Sequence, residues 1–127
     1  MRRWRRDEHP SREAFERVLT TVERAKRELL AAMPSPRGIP GRPLADALVD
    51  FESELHQAAA AMPAWRAPET EDVWRECLEA IHAALVAAER LRVEAPALDY
   101  EGLVAVLADL MAPLEAFEEA DRALRSH

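Results

Sequence analysis

The chain has 127 residues, and 25 of its 62 hydrophobic residues are alanine, so 37 larger apolar side chains remain, enough for one modest core and not two. The net charge is −7; with Arg2, Arg3, Arg5 and Arg6 set aside, the other residues carry 13 basic against 24 acidic groups, a net of −11 that disfavours phosphate backbones as partners of the folded part. No apolar run approaches the ~18–20 residues of a membrane span, no secretory h-region stands at the N-terminus, and the single cysteine excludes an internal disulfide framework or multi-cysteine zinc site; the expectation is a soluble chain in a reducing, cytoplasmic setting.

Residues 1–10 read as a basic N-terminal arm and residues 11–127 as a single domain. Only three glycines are present, and alanine and leucine lead the composition, which favours helix over sheet. Proline and glycine mark the breaks. Pro34-Ser35-Pro36-Arg37-Gly38-Ile39-Pro40-Gly41-Arg42-Pro43 is not helical, because four prolines remove backbone donors. Breaks at 62–68 and 95–98 leave four helical segments, roughly 11–33, 43–62, 69–94 and 99–125. Ser11, Pro43, Thr70 and Asp99 suit the four helix starts.

Apolar spacing assigns each segment an inner face. The stripes are Phe15, Val18, Val22, Ala25, Leu29 and Ala32; Leu44, Leu48, Phe51, Leu55, Ala58 and Met62; Trp74, Cys77, Ile81, Ala84, Ala88 and Leu91; and Leu103, Leu107, Leu110, Leu114, Phe117 and Leu124. Steps alternating between three and four residues, with charge opposite, are the pattern of helices sharing one core. The expected fold is therefore an all-α four-helix bundle, with up-down-up-down order preferred over one long crossover through the 34–43 loop, and with its fourth helix kinked or split near Pro113.

No catalytic constellation emerges: no Ser/His/Asp grouping follows from spacing, and no glycine-rich phosphate loop exists. Glu79-Ala80-Ile81-His82 resembles one of the two Glu-x-x-His motifs of ferritin-like di-iron bundles, whose metal ligands project inward. The stripe puts Ile81 in the core and turns Glu79 and His82 outward, so a metal there requires ligands from a second copy. Arg75-x6-His82 and Arg122-x4-His127 fit the loose Arg/His spacing of helical ribonuclease-like domains, a match that sixteen arginines produce by chance. His56 and His82 lack the following lysine and glycine of helical phosphotransfer domains. Cys77, on the apolar stripe, reads as a small buried hydrophobe.

The arm Met1-Arg2-Arg3-Trp4-Arg5-Arg6 suits an anionic ligand surface or a protein partner, if it is more than a tail. Trp65, between Pro63 and Pro68, either caps the bundle end or stands exposed as a contact anchor. After the inner stripes are filled, Leu30, Val49, Val86, Val93 and Val106 remain on outer positions. On the third helix His82, Val86 and Val93 share an outward strip, which suggests a second packing surface and a two-fold homodimer. The expected function is a small interaction or assembly module without cofactor. The alternatives are a ferritin-like metal enzyme with Glu79 and His82 at a dimer interface, and an anion- or nucleic-acid-binding module using residues 2–6.

Overall fold

The computed structural model describes residues 10–33 and 43–125, and among them every regular element is helical. The elements are α1 (Pro10–Ala31), α2 (Leu44–Ala61), α3 (Glu71–Glu94), α4 (Tyr100–Met111) and α5 (Ala116–Arg125). Helices α4 and α5 form one rod divided by a 3-10 turn over Ala112–Glu115, so the chain is an all-α four-helix bundle. Pro113 lies in that turn, where a residue without a backbone N–H is tolerated.

The helix starts follow local chemistry, with two departures from expectation. Helix α1 opens at Pro10, so Ser11 lies inside the helix; proline, lacking the donor that would go unpaired there, is preorganised for the first turn. Thr70 precedes α3 but makes no capping bond to it. Its hydroxyl instead accepts from the amide of Ala67 at 3.0 Å and lies 3.2 Å from the carbonyl of Trp65, holding the preceding bend together. Asp99 does cap α4: its carboxylate accepts from the amide of Gly102 at 2.7 Å. Pro43 immediately precedes α2, and its carbonyl takes the first helical bond, from Ala47, at 3.1 Å.

The inner stripes meet in one core. All four lie buried as the spacing predicts, except Leu44, which is partly exposed at the open first turn of α2. Phe15, Phe51, Trp65 and Phe117 are its largest members, and Phe15 meets Trp65 edge-on with ring centroids 4.8 Å apart. Phe15 also stacks beside Phe117 at 6.4 Å. Helix α1 backs onto α2, α2 onto α3, and α3 onto both halves of the fourth rod. The α1–α5 seam is closed by side chains: beside the Phe15–Phe117 pair, Arg12 reaches Asp121 at 3.1 Å.

Arg12 is the unexpected member of the interior. Only 2% of the residue is exposed, its guanidinium bridges Glu16 at 3.0 Å and Asp121 at 3.1 Å, and its Nη1 is buried without a hydrogen-bond partner. A buried cation of this kind constrains geometry more than it stabilises, because its desolvation offsets most of the attraction to its partners.

Candidate functional site

The predicted outward strip of α3 is present. Val86 is 59% exposed and Val93 78%, while Trp74, Cys77, Ile81, Ala84, Ala88 and Leu91 of the same helix are buried. Val49 on α2, 52% exposed, adds to it. Glu52 of α2 binds Arg92 of α3 at 3.0 Å, which brings Val49, three residues before Glu52, and Val93, beside Arg92, to the same end of the α2–α3 pair. Scattered exposed valines are ordinary; these three stand on the exposed sides of two packed helices. Leu30 is also exposed, whereas Val106, expected outside, is partly buried against the core.

His82 and Glu79 are exposed on α3, and His56 is exposed on α2. Among the described residues no group of three or more His, Cys, Asp or Glu is gathered in a way that could hold a metal ion. Any ion at Glu79 and His82 therefore needs ligands from beyond the described residues.

Trp65 has no exposed surface, which removes it from the candidate contact residues. It plugs the end of the bundle, pressed on Phe15, and its indole N–H lies 3.2 Å from the sulfur of Met62. Trp74 secures the same bend by donating to the carbonyl of Met62 at 2.8 Å. Over the outer face of Trp74 lies Arg66, its guanidinium carbon 4.3 Å from the ring centroid, in a cation–π contact the sequence did not disclose. Arg66 forks onto Glu71 at 3.0 and 2.9 Å, and Arg75 joins the same carboxylate at 3.0 Å. The hydrogen bond from Arg66 is the main reason the Glu71 carboxyl is held below its ordinary range. Both arginines are thereby occupied by an internal anion.

Cys77 is buried at the junction of α3 with the divided fourth rod, its sulfur 3.8 Å from the carbonyl of Ala116. Burial first, and the nearby negative charge of Glu76 second, push its thiol from 9.0 up to about 12, so it stays protonated and unreactive. This agrees with its position on the inner stripe.

Arg2, Arg3, Trp4, Arg5 and Arg6 lie outside the described residues, as do His127 and the proline-rich stretch 34–42.

A second surface escaped the sequence reading. From Asp99 to Asp121 the chain carries seven acidic residues and no lysine, arginine or histidine. Glu101, Asp109, Glu115, Glu118 and Glu119 are exposed, and among the described residues none of them joins an ion pair. Tyr100 and Val104 are exposed between them, with Ala105, Ala108 and Ala112. The signal was available as a run of one charge sign across 23 residues.

No helix among the described residues is long and apolar enough to cross a membrane. Comparison with protein-family models, with curated proteins and with solved structures finds no match.

Proposed function

We propose that this chain is a small interaction module, residues 11–127 forming one up-down-up-down bundle, which self-associates as a two-fold homodimer through the outer face of α3. The observation that carries the reading is the exposure of Val86 and Val93 on a helix whose inner stripe is already complete. Val49 beside them extends the apolar area onto α2. The up-down order is supported by the residue pairs that meet: Phe15 with Trp65 and Arg24 with Glu54 between α1 and α2, Trp74 with Met62 and Arg92 with Glu52 between α2 and α3. In each set, rising numbers on one helix face falling numbers on the next.

A stable interface of standard size takes about 800 Å² from each partner, more than three valines supply. The contact must also include His56 and His82, both exposed on the same two helices. An interface this polar at its margins points to an association in the micromolar range. A reducing, cytoplasmic setting fits the unpaired Cys77.

Light scattering across the micromolar range tests the reading. The wild-type chain is expected to approach twice its monomer mass of 14.3 kDa, and Val86→Glu, which places two like charges at the contact, to remain monomeric. A wild-type chain that is monomeric at every concentration refutes it.

A further inference from the structure

The acidic side of the fourth rod matches one other part of the molecule in charge and in apolar content. Between Asp99 and Asp121 it presents carboxylates of one sign around an exposed apolar line, Tyr100, Val104, Ala105, Ala108 and Ala112. The arm Arg2-Arg3-Trp4-Arg5-Arg6 offers the converse, four guanidinium groups around one indole. We propose that this arm docks in cis on the outer face of α4 and α5, its arginines on Glu115, Glu118 and Glu119 and Trp4 over Ala112.

The tether permits it. Arg12, in the first turn of α1, is bonded to Asp121 at 3.1 Å, so the chain leaves α1 beside α5. Glu118 and Glu115 follow at successive helical turns from Asp121. Because α1 begins at Pro10, four steps of chain join Arg6 to it, a reach of about 13 Å, whereas the rod between Glu115 and Asp121 spans about 9 Å. Trp4 has about 20 Å of chain back to Pro10, against about 14 Å along the rod from Asp121 to Ala112.

The other faces offer less. On α1 Glu16 is engaged by Arg12, Glu13 by Arg17 and Glu23 by Lys26; on α3 Glu71 is engaged by Arg66 and Arg75 and Glu94 by Arg90, while the exposed Asp72, Glu76, Glu79 and Glu89 share their helix with Arg75, Arg90 and Arg92. The five carboxylates of the fourth rod make no such pair among the described residues and repel one another until a cation arrives. Arginine serves here because its guanidinium meets carboxylates in a planar fork. With the arm docked, the acidic face acts as an internal competitor for any phosphate or other anion that the arginines would hold.

Paramagnetic relaxation on the full chain tests this. A nitroxide on Met1→Cys leaves the arginines and Trp4 intact, and the buried, protonated Cys77 does not take the label. At about 0.01 M salt the amides of Ala108, Ala112, Glu115 and Glu118 are expected to lose more than half their intensity. Those of Glu13 and Glu69, at the same end of the bundle but off this face, are expected to lose little. Raising salt to about 1 M shortens the Debye length from about 30 Å to about 3 Å and should restore the signals. The combined Glu115→Lys, Glu118→Lys and Glu119→Lys variant, checked for folding by circular dichroism, should restore them at low salt. Broadening that ignores salt and charge reversal, or that centres on another face, overturns the proposal. So does broadening carried from labelled to unlabelled copies in a mixed sample, since the docking is intramolecular.

Discussion

Replacing Asp121 with alanine should cost far more than replacing Arg12 with methionine, although both changes remove the same ion pair. The guanidinium side of that pair is 3% exposed and the carboxylate 22%, while Glu16, the second partner of Arg12, is 45% exposed. Asp121→Ala leaves a buried cation held by one half-solvated carboxylate. A fully orphaned buried charge costs about 3–5 kcal/mol; with Glu16 retained, about 2–3 kcal/mol is expected. For a bundle of this size that lowers the melting temperature by about 10 °C. Arg12→Met removes the charge together with its desolvation and the unpartnered Nη1, keeps an unbranched apolar stem against Phe15, and leaves Asp121 able to rehydrate. Its effect should stay within about 1 kcal/mol. The double variant should match Arg12→Met alone, which makes the coupling about 2 kcal/mol. Urea unfolding followed by far-ultraviolet circular dichroism gives all four corners. If Arg12→Met is as damaging as Asp121→Ala, or if the two effects add, then Arg12 stabilises through contacts other than this pair and the argument fails.

Two further outcomes follow from single residues. Cys77 should resist iodoacetamide at pH 8 in the folded chain and react once urea unfolds it; because its thiol is raised from 9.0 to about 12, the unfolded state loses this proton first, so stability should fall as pH rises from 9 towards 12, an effect absent in Cys77→Ala. Asp99→Ala should cost about 1 kcal/mol by leaving the Gly102 amide without its acceptor, measured by the same urea titration, and Asp99→Ser should recover most of it.

The inner faces were legible in the sequence because helical periodicity is a local signal: a residue such as Ile81 or Leu110 is placed by neighbours three and four positions away, and the structure buries both. Val86 and Val93 were legible by the same wheel, as residues left over on the outside. Arg12 was not. Its burial depends on Asp121, more than a hundred positions distant, and an arginine beside an apolar stripe reads as a solvated flank. The same holds for Arg66, whose seat on Trp74 arises from the turn that bends the chain back over its own tryptophan. Val106 was misplaced because the wheel gives the direction of a side chain without saying how far the next helix wraps around it. Thr70 was read as a helix cap, but its hydroxyl had nearer acceptors in the bend behind it.

That bend ties three separate stretches of chain into one event. The same few atoms around Met62 receive both indole N–H groups, and the ring of Trp65 rests on Phe15, fifty positions earlier in the polypeptide. Fraying the first turns of α1 would therefore strip the cover from a tryptophan at the close of α2 and loosen the entry to α3 as well. Amides in these three places should exchange with solvent at a common rate, and a spacer inserted between Met62 and Thr70 would be felt first at Phe15.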